Sequence, residues 1–353
     1  MPDGLHLRPL GLLYGDTARA AIEVDKAAPL AGGEIAFSQA EVIEGAPGAA
    51  TRDIRAFQEI KQSNEAALGA AMARIVALRP PIAGLSMEGP RIMGVVNVTP
   101  DSFSDGGLYN EADQAIARAA ELALNGADIV DIGGESTRPG ADRLQPSEEI
   151  QRILPVLEGL AGGDARISVD TRKAPVMKAA QEAGAHILND VSALTHDEDS
   201  LAVAASTNLP IVLMHSRGDP KTMQKEPVYA DVLLEVYDYL AARIEACERA
   251  GISRARLIAD PGIGFGKTLM HNLALISGFS LFHGLGVPVL LGASRKRFIG
   301  ALTQEADPRK REPGSLAAAL AGAAQGAQIL RVHNVASTVQ GLRVWRSVLS
   351  GTH

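Results

Sequence analysis

Short apolar runs alternate with longer amphipathic stretches from about residue 92 to the carboxyl end of the chain. The short runs carry Val, Ile and Leu at successive positions, which is typical of parallel strands buried by helices on both faces. They predict eight strands, at Ile92–Val98, Ala127–Ile132, Arg166–Val169, Ala185–Asn189, Pro210–Met214, Arg256–Ala259, Val287–Leu291 and Ala327–Val332.

The longer stretches have helical spacing, and several end in a glycine of the kind that closes a helix. They predict helices at Glu111–Asn125, Pro146–Leu160, Lys173–Ala183, Val228–Ala250, Gly314–Gln325 and Ser337–Leu349. Eight β/α repeats favour the α/β class and a closed (β/α)8 TIM barrel. An open eight-stranded sheet remains the alternative, because periodicity alone does not determine whether a sheet closes.

The first 80 residues depart from this repeat. They predict two short strands and a helix, at Leu12–Tyr14, Glu34–Ser38 and Asp16–Asp25. Arg52–Leu78 carries apolar residues at helical spacing, which predicts one amphipathic helix capped by Thr51. We therefore expect residues 1–80 to form a small α/β extension of unknown role, and residues 82–353 to form the barrel.

Composition narrows the classes of function. The chain has 353 residues, of which 46% are hydrophobic and 21% charged, so a sizeable core is expected and global disorder is excluded. The net charge of −7 and an aromatic content of 4% argue against nucleic acid as a partner. Cys247 is the single cysteine, which excludes an internal disulfide or a CxxC site. The sequence shows neither a signal peptide nor a membrane-spanning stretch, so we expect a cytoplasmic protein without a membrane partner.

The carboxyl ends of the predicted strands are polar. These ends hold Asn97, Asp131, Asp170, Asn189, His215, Asp260, the run Ser294-Arg295-Lys296, and Arg331 with His333. Strand ends meet water, which explains some of these residues, but a barrel interior needs apolar side chains and barrel enzymes place their chemistry at this rim. The set as a whole favours an active site.

Three of these residues suggest a ligand type. Asp170, Asn189 and Asp260 provide a carboxylate, an amide and a second carboxylate, which suit the edge of a heterocycle with several N–H donors, such as an aminopyrimidinone. A metal cluster is the alternative, ranked lower because such sites also recruit His or carboxylate pairs close in sequence.

Two polar loops follow the first two strands. Asn97–Gly107 begins with an amide oxygen that suits Mg²⁺, although Asn97–Thr99 also matches a glycosylation sequon, which the missing signal peptide disfavours. Gly133–Ala141 places Arg138 between glycines, where it can reach an anion or belong to a flexible connection.

The last strands carry a glycine-rich loop and a basic cluster. Asp260–Thr268 departs from a P-loop because Pro261 stands where the first glycine is required, yet the loop could admit a flat ring with Phe265 as an apolar wall. Arg331 and His333 lie on one face of the last strand, near the place where barrels often hold phosphate. A solvated basic cluster is the alternative.

Seven segments, in order and at the expected spacing, resemble bacterial dihydropteroate synthases. They are NVTPDSFSDGG (97–107), DIGGESTRPGA (131–141), SVDTRK (168–173), ILNDVS (187–192), DPGIGFGKT (260–268), GASRKRFIG (292–300) and RVHNV (331–335). The resemblance implies a transferase that forms a C–N bond. It would condense p-aminobenzoate with 6-hydroxymethyl-7,8-dihydropterin diphosphate, giving 7,8-dihydropteroate and diphosphate in folate biosynthesis. It also implies a homodimer and competition by sulfonamides.

The resemblance further implies a role for each matching residue. The pterin would be held by Asp170, Asn189, Met214, Asp260, Gly264, Phe265 and Lys296. The diphosphate would be held by Asn97, Thr137, Arg331 and His333, with Asn97 also the ligand of the cofactor Mg²⁺. The p-aminobenzoate would be held by Phe103, Thr137, Pro139 and Ser294. The catalytic set would be Asp105, Arg138, Lys296, Arg331 and His333, with Asp105 pairing with Arg138.

This chemistry predicts acidic groups deep in the barrel and cationic groups at its rim. Ionisation of the CH₂–O bond leaves positive charge on the pterin and negative charge on the diphosphate, and fixed charges stabilise both. A corrinoid-dependent methyltransferase with a similar barrel and a non-catalytic pterin-binding paralogue are the alternatives. A fused second activity in residues 1–80 lacks a supporting motif.

Overall fold

A computed structural model describes residues 4–98, 108–135, 144–218 and 227–351. The amino-terminal extension contains β1 (Leu5–Leu13), α1 (Gly15–Glu23), β2 (Ala28–Pro29), β3 (Ala36–Glu44), β4 (Thr51–Ala56), α2 (Phe57–Gln62) and α3 (Ala66–Val76). Strand β3 pairs antiparallel with each of the other three strands. Helices α2 and α3 pack on one face of this sheet, where Phe37, Leu68 and Ile75 are buried, whereas Ala18 of α1 packs with Ala36 in a separate small cluster.

The predicted helix over Arg52–Leu78 is wrong in its first part. Residues 51–56 form β4, so Thr51 begins a strand instead of capping a helix, and Ser63 separates α2 from α3. The guanidinium of Arg52 donates to Glu41 on β3 over 3.2 Å. Pairing with β3 therefore overrides a local pattern that fits a helix equally well.

The eight strands predicted after residue 90 are all present, with ends shifted by a few residues. They are β5 (Arg91–Asn97), β6 (Ile129–Gly133), β7 (Arg166–Asp170), β8 (Ile187–Asp190), β9 (Ile211–Met214), β10 (Leu257–Asp260), β11 (Leu290–Leu291) and β12 (Ile329–Val332). They form one parallel sheet in the order β10-β9-β8-β7-β6-β5-β12-β11. A parallel bridge from Ala259 to Val289 brings the two edges of the sheet together, which confirms the predicted barrel.

Helices surround this barrel: the six predicted helices are present among the described residues, and further helices follow β8, β10 and β11. In chain order, the helices around the barrel are α4 (Leu108–Leu124), α5 (Pro146–Leu160), α6 (Ala174–Glu182), α7 (Ser200–Ser206), α8 (Val232–Arg249), α9 (Leu269–Ser277), α10 (Arg297–Thr303), α11 (Glu312–Ala323) and α12 (Val335–Ser350). Across the described ranges, no helix is both long and apolar enough to cross a membrane.

The amino-terminal end of the barrel is apolar. Inward side chains of seven strands, among them Ile129, Val212 and Ile258, form one buried cluster with Ile82 and Met87 from the segment before β5. Because this end is filled with branched side chains, a polar ligand can enter the barrel only from the carboxyl ends of the strands.

The extension packs against the outside of the barrel. The buried guanidinium of Arg79 donates to the carbonyl of His283 over 2.8 Å, and the hydroxyl of Ser280 donates to the carbonyl of Pro9 over 2.8 Å. The hydroxyl of Tyr14 donates to the carbonyl of Ala324 over 2.7 Å. These bonds fix three separate points of the extension to the segment after α9 and the end of α11.

Candidate active site

One hydrogen-bonded network joins four strands at the carboxyl end of the barrel. The guanidinium of Arg331 on β12 donates from Nε to Asp131 Oδ2 over 2.7 Å and from Nη2 to Asp170 Oδ2 over 2.9 Å. The amide of Asn189 on β8 donates to the same oxygen of Asp131 over 3.1 Å. Strands β6, β7, β8 and β12 thus bring side chains that are up to 200 residues apart in sequence into direct contact.

The glycine-rich loop after β10 adds a second group to this mouth. Asp260 ends β10, and its Oδ1 accepts from the backbone N–H of Gly262 over 2.7 Å. The ammonium of Lys296 lies 4.0 Å from the centre of the Phe265 ring, a cation–π contact. A Cβ atom placed on Gly264 would lie 3.1 Å from Lys296 Cδ, so this turn and the lysine pack closely.

Burial and neighbouring charges shift the acid–base behaviour of the pocket towards neutral pH. Burial raises the pKa of Asp170 to about 7, and the charge of Asp131 adds to this while Arg331 opposes it. Burial lowers the pKa of Lys296 to about 8, Arg331 lowers it further, and Asp260 opposes the change. Burial also disfavours the charge of Arg331, but Asp131 and Asp170 outweigh burial and raise its pKa. Such shifts in a cleft are typical of functional sites.

Three further predicted residues border the mouth. His333 Nδ1 and Ser294 Oγ lie 3.0 Å apart, and the same hydroxyl accepts from the backbone N–H of His333 over 3.3 Å. A Cβ atom on Gly133 would be 3.8 Å from Asn97 Oδ1 and 3.6 Å from Asp170 Cβ, so Asn97 lies beside the acidic network. A polar cavity of about 190 Å³ on the α4 side of His333, lined by Arg118 and Glu121, shares only His333 with these site residues.

The predicted site residues that the structure describes lie at the carboxyl ends of the barrel strands or in the segments that follow them. These are Asn97, Asp170, Asn189, Met214, Asp260, Gly264, Phe265, Ser294, Lys296, Arg331 and His333. Phe103, Asp105, Thr137, Arg138 and Pro139 lie outside the described residues. We expected acidic groups deep in the barrel and cationic groups at its rim. Instead, the guanidinium of Arg331 lies between the carboxylates of Asp131 and Asp170, so positive and negative groups are interleaved.

Sequence reasoning assigned no role to two parts of the site. Asp131 is fully buried and orients both Arg331 and Asn189, yet the sequence marks it only as a polar strand end. Lys267 and His215 form a buried pair behind the glycine-rich loop.

The metal-cluster alternative gains no support from the described part of the chain, where no three His, Cys, Asp or Glu side chains are grouped to hold an ion.

Comparisons with known proteins agree with this fold. The family model described as pterin binding enzyme matches residues 93–333. The dihydropteroate synthase of Neisseria meningitidis is 50% identical over 269 residues, which cover 75% of this chain and 94% of that protein. The solved structure of the Xanthomonas albilineans dihydropteroate synthase with 4-aminobenzoic acid has 48% identity and a TM-score of 0.72, covering 76% of this chain and 97% of that one. The same enzyme in complex with 7,8-dihydropteroate gives 46% identity and a TM-score of 0.69, with coverages of 76% and 98%. The extension lies outside the family model.

Proposed function

The chain belongs to the dihydropteroate synthases of the pterin-binding enzyme family, and we propose how its described residues serve that reaction. It is a transferase that condenses p-aminobenzoate with 6-hydroxymethyl-7,8-dihydropterin diphosphate, giving 7,8-dihydropteroate and diphosphate in folate biosynthesis. We propose the roles of single residues, the metal site, and the order in which bonds break and form.

We assign the pterin subsite from four side chains that converge at one barrel mouth: Asp170, Asn189, Asp260 and Lys296. A pterin presents several N–H donors and acceptors along one edge, and buried carboxylates need such donors in place of water. Phe265 and Lys296 form a wall on one side of this subsite. Asp131 holds Arg331 and Asn189 in position without itself reaching the surface.

We propose a dissociative displacement. The CH₂–O bond breaks with its electron pair passing to the diphosphate oxygen, which leaves positive charge on the pterin methylene. Asp170 and Asp260 stabilise that charge, whereas Arg331 and His333 stabilise the departing diphosphate. The amine nitrogen of p-aminobenzoate then forms the new C–N bond and loses a proton to water. An arylamine attacks without a strong base, so the site needs no Ser-His-Asp arrangement.

Magnesium fits the rim through Asn97. Its amide oxygen lies beside Gly133 and the acidic network, and a single neutral oxygen suits an ion whose other ligands are water and substrate phosphate. Bound there, the ion would neutralise charge on the diphosphate. His333 follows β12, the strand that pairs with β5, and Ser294 follows β11 beyond it, so both border the same side of the mouth as Asn97.

The test is an assay of the purified full chain with p-aminobenzoate and the pterin diphosphate, with and without Mg²⁺. We expect diphosphate release that depends on both substrates and on the metal. Asp260→Asn and Lys296→Met should each raise the KM for the pterin diphosphate, by about 10- to 100-fold for a lost buried charged contact. Asp105→Ala and Arg138→Ala should mainly lower kcat.

Lys178→Met changes an exposed lysine on α6 and is the matched control for Lys296→Met. Absence of diphosphate release, or turnover of methyl-tetrahydrofolate instead, would reject the proposed reaction. Unchanged kinetics in all four site variants would reject the residue roles.

We also propose a homodimer formed by the later outer helices, in the cytoplasm. Exposed apolar side chains there support this interface: Met270 on α9, Leu302 on α10, and Val344 and Val348 on α12. Analytical ultracentrifugation of the Val348→Glu variant should show a monomer.

Sulfonamides, which resemble p-aminobenzoate, should compete with it in the assay.

A further inference from the structure

The ammonium of Lys267 is buried on the side of the glycine-rich loop that faces β9. Only 3% of this residue is exposed, and its Nζ donates to three acceptors. These are His215 Nδ1 at 2.9 Å, the carbonyl of Phe265 at 3.0 Å and the carbonyl of His215 at 3.3 Å. Lys267 therefore cross-links the loop after β10 to the residue that follows β9.

Burying the ammonium group of Lys267 among these partners costs free energy, which indicates that the contact has a functional role. A ring nitrogen and two carbonyls do not neutralise an ammonium group, and burial lowers the pKa of Lys267 to about 7 while Asp260 opposes the change. Burial also lowers the pKa of His215 well below its usual range, so the imidazole is neutral and its Nδ1 can accept.

The loop itself has little freedom against β9. Gly262 has φ +69°, and a Cβ atom there would lie 1.9 Å from the carbonyl oxygen of His215. Gly266 has φ +61°, and a Cβ atom there would lie 2.5 Å from the carbonyl oxygen of Arg217. Two glycines thus let the loop lie directly on residues 215–217, and Lys267 fixes it there.

The front of the same loop faces the pterin subsite. Phe265, whose carbonyl accepts from Lys267, presents its ring to the ammonium of Lys296 at 4.0 Å. Resting on the proposed function, we propose that Lys267 is a positioning residue for the pterin subsite, which acts through Phe265 and Lys296. It makes no contact with the reacting atoms, and the p-aminobenzoate end of the site does not depend on it.

The experiment measures Kd for the pterin diphosphate by calorimetry, together with KM for both substrates, in the full chain. Lys267→Met should raise the Kd and the KM for the pterin diphosphate about tenfold or more, as expected when a buried charged group loses its hydrogen bonds. The KM for p-aminobenzoate should change less than about twofold, within the range of a surface substitution. Lys178→Met is the control.

His215 provides a second test that survives a folding defect in Lys267→Met. His215→Leu removes one of the three acceptors and should raise the same Kd by a smaller factor, whereas His215→Gln keeps an acceptor and should restore much of the affinity. The double variant should bind no more weakly than Lys267→Met alone.

An unchanged Kd in folded Lys267→Met, or an equal loss for both substrates, would overturn the proposal. If Lys267→Met does not fold, an unchanged Kd in His215→Leu has the same force. Because Kd is measured without turnover, a wild-type chain that binds the pterin diphosphate but forms no product would reject the proposed reaction and not this role of Lys267.

Discussion

At the scale of single residues, the barrel mouth holds an acid and a base whose ionisation changes on either side of neutral pH. Burial raises the pKa of Asp170 to about 7, so this carboxyl becomes neutral below that pH. Burial lowers the pKa of Lys296 to about 8, so its ammonium is lost above that pH. Both ionised forms are present together only in a narrow range, because each group is buried beside charges of both signs.

This predicts a bell-shaped dependence of kcat/KM for the pterin diphosphate on pH, since kcat/KM reports ionisation in the free enzyme. The value should rise as Asp170 ionises near pH 7 and fall as Lys296 loses its proton near pH 8. Lys296→Met should lower the maximum and abolish the alkaline fall. A flat profile from about pH 6 to 9, or a fall at pH 8 that persists in Lys296→Met, would contradict this reasoning.

At the scale of elements, two glycines differ in the backbone conformation that their positions require. Gly69 is a solvent-exposed residue within α3, and Gly251 follows the end of α8 with φ +89°. A Cβ atom at either position would meet nothing within 4 Å. The space open to a new side chain is therefore the same at both glycines, and only the backbone conformation distinguishes them.

Alanine at these glycines should shift stability in opposite directions. Gly69→Ala should raise the free energy of unfolding by about 1 kcal/mol, because alanine favours a helix. Gly251→Ala should lower it by about 1 kcal/mol, because an L side chain disfavours positive φ. Urea midpoints measure both shifts, and KM values serve as the check on the active site. Shifts of the same sign would show that another factor controls these positions.

At the scale of the whole molecule, buried hydrogen bonds hold the extension to the barrel. The guanidinium of Arg79 donates to the carbonyls of Arg74, Ala77 and His283, and burial lowers its pKa to about 10. An ion pair between Arg346 on α12 and Glu34 also joins the two parts, but both side chains are largely exposed. The buried and the exposed contact join the same parts of the molecule and should differ in strength.

We expect Arg79→Met to cost about 2–3 kcal/mol of stability, because it leaves the buried carbonyl of His283 and two partly buried carbonyls without a charged donor. Arg346→Met should cost less than about 1 kcal/mol, the usual value of an exposed pair. Neither should change kcat/KM at 25 °C, because Arg79 and Arg346 lie outside the barrel mouth. Differential scanning calorimetry compares the two, and equal losses would show that burial does not set the strength of this interface.

The barrel strands and helices could be predicted because their causes are local. Strands buried on both faces, such as Ile211–Met214, are apolar throughout, and the stop of a helix such as α8 is marked by Gly251. Strand β4 could not be predicted, because its charged sequence becomes a strand only through pairing with β3. Local spacing cannot report a partner that lies elsewhere in the chain.

The sequence by itself determined which polar side chains stand at the strand ends, since side-chain alternation and strand length are local properties. Only the tertiary structure decided which of them touch. Closure of the barrel brings Arg331 onto Asp131 and Asp170, and packing of two loops brings Lys267 onto His215. These contacts depend on the register and curvature of the whole sheet, and no stretch of sequence specifies those alone.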